Sequence, residues 1–432
     1  MNRRTAHFLL LFLVLTSTAC SSPTTGTGSA AGSSKDGGLQ FTSTDIGVSD
    51  GGIPFVDSGL TSSDNGSGAV VDSGGVDTGL DDPNATGGSC KPGSIIGLVC
   101  APKQGISVSF ASVTFDANTG CSAAKPVHVS VTADAKGKYS FVNLPPGPGT
   151  LTLSKGSFQT VLNVTVPAGG QLDFSKGLDP TRCFQSTSVK IAVLLGDADH
   201  IEKLLDLLGF AYDAYDSATG ATSAAAKLLG DPLKLQGYDV VFANCGTQVQ
   251  AIVQGVPTAI TNLKAFVLAG HSLYASDWAW AYVEWAFPDA IEFHGVDNSF
   301  TKGSGPPSTT AGPRQGPGPT LTAKNKGAAP YATQGALVDP ALAAVLGKNS
   351  TTIQEDLGTW AVMQSAGAGT VVSVQGPVKD SSGDWGTVPM VVTFPQGKGR
   401  VVYTSFHNIA QTGANGSTAD IQAILTYLVF TL

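Results

Sequence analysis

The sequence contains few charged residues: Asp, Glu, Lys and Arg together make up 13 % of its 432 positions. This fraction is low for a cytosolic enzyme. Cations are the scarcer sign, with 24 Lys and Arg against 32 Asp and Glu, so the net charge is −8 at pH 7. Nucleic-acid binding requires a basic face, and this balance argues against a nucleic-acid partner. The chain length and a hydrophobic content of 42 % predict two or three packed domains.

The N-terminal segment lacks a hydrophobic run long enough to remain as a membrane span. Its apolar stretch, Phe8–Leu15, is too short for a permanent helix across a bilayer. Residues 17–20 read STAC, and small residues before a cysteine at this place resemble the lipobox of bacterial lipoproteins, with Ser17 where the family usually has Leu. The resemblance implies a signal peptide over residues 1–20, lipid on Cys20 and the membrane as a partner. Because Ser21 is not Asp, it further implies the bacterial outer membrane or cell surface. An ordinary secretory signal with a chance cysteine is the alternative.

Apolar residues are also sparse between positions 21 and 88, where Gly, Ser, Thr and Asp predominate. Such a composition cannot bury enough apolar surface to offset the entropy of ordering the chain. We therefore expect a flexible acidic linker. The recurring triplets at 57–59, 72–74 and 77–79 suggest calcium repeats, but they lack regular spacing and a bidentate carboxylate.

Residues 89–184 contain short alternating segments separated by turn signals and show no helical period. This pattern predicts an antiparallel β-sandwich. Residues 134–141 read DAKGKYSF and residues 144–147 read LPPG. Both motifs resemble the carboxypeptidase regulatory-like domain. The resemblance implies a transthyretin-like sandwich without catalytic residues, used as a spacer or an interaction module.

Four cysteines belong to this segment or flank it: Cys90, Cys100, Cys121 and Cys183. Export into an oxidising compartment predicts two disulfides, for which three pairings exist. We favour Cys100–Cys121 within the sandwich and Cys90–Cys183 closing its ends. A zinc site is the rival, but no C-x-x-C spacing supports it. Cys245 is left over and is interpreted as an inert buried residue.

Residues 187–432 alternate apolar strands with helical stretches. Strands are predicted at 189–195, 238–243, 263–269 and 400–406, and helices at 201–208 and 421–430. The alternation predicts a doubly wound, flavodoxin-like α/β domain. Residues 301–330 are rich in Gly, Pro, Ser and Thr, which predicts an inserted loop, either a lid or a disordered segment.

Polar residues follow three of the predicted strands. In open α/β sheets, ligands bind at the carboxyl ends of the strands. Residues 244–247 follow one strand, His271 and Ser272 follow the next with Asp277 nearby, and His407 follows the last. We therefore expect His271, Ser272, Asp277 and His407 to be candidate catalytic or binding residues around one cleft. The aromatic residues between 278 and 285 could stack on sugar rings, but helical spacing favours a core role for them.

Residues 266–272 (FVLAGHS) and 397–407 (GKGRVVYTSFH) resemble the class I glutamine amidotransferase-like fold, in particular its ThuA-like branch. Active members carry a Cys nucleophile in a G-x-C-x-G elbow. Here Ser272 stands in the cysteine position, so glutamine hydrolysis is not expected.

Our leading hypothesis is an envelope lipoprotein whose α/β domain binds a glycan or another envelope component, without metal or cofactor. One alternative is a hydrolase or carbohydrate-modifying enzyme with Ser272 as nucleophile and His407 as base, although Tyr274 replaces the last glycine of a G-x-S-x-G elbow. A metal site built from His271, Asp277 and His407 is a second alternative. A purely structural envelope protein is the third.

Overall fold

The computed structural model describes residues 90–103, 105–117, 126–175, 179–293, 331–355, 360–380, 383–408 and 418–432. The predicted signal peptide with Cys20, the linker 21–88, Cys121 and the inserted loop 301–330 lie outside the described residues. The signal peptide, the linker and the inserted loop remain predictions.

The first part of the described chain is a two-sheet β-sandwich. Its strands are β1 (Gly93–Leu98), β2 (Ser112–Ala117), β3 (Val127–Thr132), β4 (Lys138–Leu144), β5 (Gly147–Lys155), β6 (Phe158–Val166) and β7 (Gln171–Phe174). One sheet has the order β4-β1-β7 and the other β3-β2-β5-β6. The alternation in β2 buries Val113, Phe115 and Ala117, so the predicted sandwich is confirmed. The prediction of a purely antiparallel arrangement is wrong, because β1 and β7 pair in parallel.

The turn before β4 explains one sequence motif in physical terms. The Asp134 side chain accepts hydrogen bonds from the backbone N–H groups of Lys136 and Lys138, both at 2.8 Å. Gly137 has a φ of +75°, and a Cβ there would lie 2.9 Å from the carbonyl oxygen of Val99. Only glycine fits both constraints without strain, so the D-x-x-G pattern fixes this hairpin turn.

The disulfide observed in the sandwich joins a different pair of cysteines from those we favoured. Cys100 is bonded to Cys183, with their Cα atoms 4.7 Å apart. Cys90 is also disulfide-bonded. The predicted pairs Cys100–Cys121 and Cys90–Cys183 are therefore wrong, because the end of β1 meets the segment that leaves the sandwich, and sequence spacing does not reveal that proximity.

The second part is built on a nine-stranded sheet. Its strands are β8 (Ile191–Leu194), β9 (Asp213–Tyr215), β10 (Val240–Ala243), β11 (Ser272–Ser276), β13 (Tyr331–Leu337), β14 (Ser350–Glu355), β16 (Val371–Asp380), β17 (Gly383–Gln396) and β18 (Gly399–Thr404). Their order in the sheet is β14-β13-β16-β17-β18-β11-β10-β8-β9. The five neighbouring strands β9, β8, β10, β11 and β18 pair in parallel. The remaining pairs in this sheet are antiparallel. A separate ribbon joins β12 (Ile291–Phe293) to β15 (Met363–Ala366).

Helices cover both faces of the parallel strands. They are α1 (Ile201–Leu208), α2 (Ala224–Gly230), α3 (Pro232–Leu235), α4 (Val249–Gly255), α5 (Ala259–Ala269), α6 (Trp280–Glu284), α7 (Pro340–Leu346) and α8 (Thr418–Val429). Alternate residues of each strand point to opposite faces. Ile191 and Val193 of β8 pack in the core with α1 and α8, whereas Ala192 and Leu194 pack in the core with α2, α4, α5 and α6.

No single helix in the described ranges is both long and apolar enough to cross a membrane, although α4 and α5, bent by 99° at their junction, pass that test as a pair.

The predicted strand at 263–269 is wrong, because these residues belong to helix α5. A short apolar run does not distinguish a buried strand from a buried helix. The helix buries Leu263, Phe266 and Val267 and ends at Gly270, whose φ is +124°. The next core strand is instead β11, which begins at Ser272.

The two parts share one hydrophobic core. Phe158, from the sandwich, lies with its ring centroid 4.8 Å from that of Phe210 and 5.0 Å from that of Phe430, both in the α/β part. Phe184 of the connecting segment completes the group at 6.1 Å from Phe158. The backbone N–H of Ser157 also donates to the carbonyl oxygen of Leu432.

Candidate functional site

The carboxyl ends of β8, β10, β11 and β18 lie at one edge of the sheet, because these strands run in parallel. Asp199 follows β8, Cys245 follows β10, Asp277 follows β11 and His407 follows β18. All four residues are buried, with relative exposures of 0 %, 0 %, 0 % and 2 %. Buried polar groups of this kind require partners. Cys245 and His407 both contact Asp277, whereas Asp199 accepts from the Ser276 hydroxyl and from backbone N–H groups.

Asp277 occupies the sharp turn between β11 and the helical segment that follows it. Its φ is +39° although it is not glycine. Such a backbone costs energy and persists only where its surroundings hold it, which occurs mainly at functional sites. Here Tyr403 donates its hydroxyl to the carbonyl oxygen of Asp277 at 2.8 Å. The N–H of Ala361 donates to Oδ1 of the same residue at 2.5 Å.

The second carboxylate oxygen of Asp277 faces two further side chains. Its Oδ2 lies 3.1 Å from Nε2 of His407, and the Cys245 thiol donates to it over 3.4 Å between Sγ and Oδ2. One oxygen, one nitrogen and one sulfur atom thus lie within 4.8 Å of one another inside the protein. We call these three residues the Cys–Asp–His cluster.

The electrostatics of Asp277 reflect competition between burial and its partners. Burial raises the pKa of the Asp277 carboxyl above its ordinary value of 3.8. The hydrogen bond and charge of His407 oppose this rise, as do the hydrogen bonds from Ala361 and Cys245. Burial penalises the charged carboxylate and is the largest of these effects, so the net pKa shift is upward.

A second set of hydrogen bonds fixes the loops that carry the cluster. Ser276 donates its hydroxyl to Oδ2 of Asp199 at 2.8 Å and accepts the N–H of Cys245 at 3.0 Å. Oδ1 of Asp199 accepts the N–H of Asn408, next to His407, at 2.8 Å. The loops after β8, β10, β11 and β18 are therefore tied together around the cluster.

His271 and Ser272 lie at the opposite edge of the sheet, so the expectation that they meet His407 is wrong. Ser272 pairs with Arg400, and four positions further along the same strand Ser276 pairs with Thr404. At about 3.3 Å per residue, this separates Ser272 from the cluster's edge by about 13 Å. His271 stacks on Phe266, with ring centroids 4.5 Å apart. The structure thus unites Asp277 and His407 with Cys245, which the sequence analysis set aside, and excludes His271 and Ser272.

An open cleft lies beside the cluster at the same edge. Its lining comes from the ends of three parallel strands and comprises Leu195, Gly196, Asp197, Asp216, Ser217, Ala218, Gly246, Thr247, Gln248 and Val249. Asp197 holds the Thr247 hydroxyl at 2.7 Å. Partly exposed Trp278 packs against Ala198 and Cys245, next to this lining. Trp280, Tyr282 and Trp285 are buried, which confirms the predicted core role for these three aromatics.

The fold and the site define a protein with a β-sandwich joined to an open α/β sheet that carries a buried Cys–Asp–His cluster. Residues 94–176 match the family model of the carboxypeptidase regulatory-like domain. This match confirms the resemblance expected for the sandwich. No curated protein sequence matches the chain.

Solved structures with a similar chain trace include a ThuA-like protein from Bacteroides uniformis. It is 10 % identical, with 56 % of this chain and 91 % of its own covered and a TM-score of 0.35. A cytoplasmic protein from Salmonella typhimurium is 11 % identical, with coverages of 56 % and 98 % and a TM-score of 0.34. A β-galactosidase from Bacillus circulans sp. alkalophilus is 11 % identical with a TM-score of 0.29, and 56 % of this chain matches 30 % of that enzyme's length.

Proposed function

We propose that this protein is an extracytoplasmic lipoprotein, attached through Cys20 to the bacterial outer membrane or cell surface, whose α/β domain binds a neutral glycan. The observation that carries the proposal is the cleft at the carboxyl edge, lined by both polar and apolar residues, with Trp278 beside it. The Cys100–Cys183 disulfide supports export, because such bonds persist in oxidising compartments.

The position of the cleft supports a binding role. The chain passes from β8 outward to β9 and then returns to β10 on the other side of β8. In open α/β sheets, ligands bind outside the carboxyl ends of strands at such a reversal. The parallel order β9-β8-β10-β11-β18 also supports our assignment of a flavodoxin-like, doubly wound domain.

The chemistry of the lining selects a class of ligand. Asp197, Asp216 and Gln248 offer carboxylate and amide groups that pair with hydroxyl groups. Trp278 is partly exposed beside this lining, and indole rings provide the apolar faces on which sugar rings stack. The lining residues include two Asp and neither Lys nor Arg. We therefore expect neutral sugars to bind in preference to uronic acids, whose carboxylates the two Asp would repel.

Glutaminase activity is not part of the proposal. The residue at the strand-to-helix turn after β11 is Asp277, whereas amidotransferase chemistry uses a cysteine there. The serine hydrolase alternative required Ser272 within hydrogen-bond reach of His407. These two residues lie at opposite edges of the sheet, and we do not propose that alternative.

Calorimetric titration of the full chain with neutral hexose and N-acetylhexosamine oligosaccharides, and with uronic-acid oligosaccharides, tests the proposal. We expect a neutral oligosaccharide to bind, and Gln248→Ala or Trp278→Ala to weaken binding at least about tenfold, the loss of one good contact. Gln159→Ala removes an exposed glutamine of the sandwich and serves as the matched control. Absence of neutral-sugar binding, or equal effects of Gln248→Ala and Gln159→Ala, would refute a glycan site in this cleft.

A further inference from the structure

The Cys–Asp–His cluster has the composition of a transition-metal site. Thiolate, imidazole and carboxylate are the three ligand types that proteins use for zinc. Cys245, Asp277 and His407 supply one of each from the ends of three adjacent parallel strands. Because each ligand comes from a rigid strand end, folding alone brings the donor atoms together.

Two of the three separations between the donor atoms are close to those of a tetrahedral site, and the third, between Cys245 Sγ and His407 Nε2, is within 4.8 Å. Zinc binds nitrogen and oxygen at about 2.0–2.2 Å and sulfur at about 2.3 Å, which places tetrahedral ligand atoms about 3.4–3.6 Å apart. The observed separations are 3.1 Å between His407 Nε2 and Asp277 Oδ2, and 3.4 Å between Cys245 Sγ and the same oxygen. Binding an ion would open these two separations by about 0.2–0.3 Å and bring Cys245 Sγ and His407 Nε2 to about 3.4–3.6 Å from each other.

Charge neutrality also favours a divalent cation at this place. The Cys245 thiol currently donates its proton to Asp277. When a divalent ion binds, the thiol loses that proton to solvent, and thiolate plus carboxylate together carry two negative charges. The neutral His407 imidazole completes a complex without net charge, which a fully buried position requires.

The surroundings hold the ligands as metal-binding proteins do. Tyr403 and Ala361 fix the backbone and the outer oxygen of Asp277, and Ser276 fixes the backbone of Cys245. Partners of this kind orient metal ligands and increase metal affinity. Together with the left-handed backbone of Asp277, they indicate a cluster held in one geometry.

We propose that Cys245, Asp277 and His407 bind one zinc ion, with a fourth position left for water or another small ligand. Three protein ligands and one open position are the arrangement of catalytic zinc sites. The proposal does not depend on the glycan cleft, because none of the three ligands lines it.

The test uses the full chain, purified in detergent without a histidine tag and stripped of metal with a chelator. We expect competition titration with a chromophoric chelator to give one zinc per chain. Cys245→Ser and His407→Gln should each weaken binding by more than about 100-fold, because changes in supporting groups alone cost 10- to 100-fold. His128→Gln removes an exposed histidine that pairs with Asp116 on the sandwich and should leave affinity unchanged.

Cobalt provides a readout on the wild-type chain that does not require the variants to fold. Thiolate ligation produces a near-ultraviolet charge-transfer band, and Cys245 is the described cysteine that is not in a disulfide. We expect this band at one equivalent of Co²⁺ and its displacement by Zn²⁺. A wild-type chain without the band, or zinc affinity equal in wild type and Cys245→Ser, would overturn the proposal. Glycan binding is measured separately, so its failure would leave this result intact.

Discussion

Replacing Phe158 with alanine should destabilise the α/β part although Phe158 belongs to the sandwich. The ring is fully buried and lies 4.8–6.1 Å from those of Phe210, Phe430 and Phe184. Truncating a buried phenylalanine costs about 3–5 kcal/mol, through lost transfer energy and the cavity left behind. Typical proteins have only about 5–15 kcal/mol of unfolding free energy, so the change should be large.

The tryptophans make this prediction measurable. All five lie within residues 187–432 and none in the sandwich, so their fluorescence in a urea titration reports the α/β part alone. We expect Phe158→Ala to lower the unfolding free energy obtained from this signal by about 3–5 kcal/mol. Val161→Ala, on the same strand but 57 % exposed, should change it by less than about 0.5 kcal/mol. A tryptophan transition that is the same in Phe158→Ala and wild type would show that the two parts unfold independently.

Four further predictions concern the Cys100–Cys183 disulfide, Asp277 of the Cys–Asp–His cluster, Ser272 and the proposed lipid anchor at Cys20. Replacing Cys100 and Cys183 together with alanine should lower the unfolding free energy by about 2–4 kcal/mol, and an unchanged urea midpoint would contradict a bridge that constrains the unfolded chain. In metal-free protein, burial raises the folded-state pKa of Asp277 above its ordinary 3.8, so its contribution to stability is full below that pH and is lost as pH rises through the folded pKa. The unfolding free energy of wild type relative to Asp277→Asn should therefore fall as the pH is raised above 4 in urea titrations; a flat or rising difference would contradict this sign. Ser272→Ala should leave oligosaccharide affinity within about twofold, because Ser272 lies at the opposite edge from the cleft; a tenfold loss in calorimetry would place it in the site. Cys20→Ala should abolish incorporation of a labelled fatty acid, since the proposed anchor attaches lipid to this thiol, and a mutant that is still labelled would exclude a lipoprotein anchor at Cys20.

Local patterns predicted the parts of the fold that depend on local chemistry. Alternation and turn residues indicated the sandwich, and the D-x-x-G segment is explained by the Asp134 side chain and the left-handed Gly137. The strands β8 and β10 each lie within a predicted strand, and β18 overlaps the strand predicted at 400–406. The secondary structure of the segment before Ser272, by contrast, was predicted wrongly. There a run read as a strand is α5, which ends at Gly270.

The site was predictable only in part, because it depends on which strands are neighbours. Asp277 and His407 were identified from their positions near strand ends. The prediction placed Ser272 after a strand, whereas Ser272 begins β11, so the predicted site residues His271 and Ser272 lie at the wrong end of that strand. Cys245 joins the cluster because β10 adjoins β11. No spacing in the sequence reports that adjacency, just as none reports that Cys100 meets Cys183.

The Cys100–Cys183 bond has a mechanical consequence. The bond joins Cys100 directly to Cys183, so a force that pulls the ends of the protein apart cannot extend the segment between these two residues. A sequence separation of 83 corresponds to about 270–300 Å of extended chain, and that length stays unavailable to stretching while the bond is intact. In a single-molecule pulling experiment, a reductant would release it, and the sandwich would then lengthen under force.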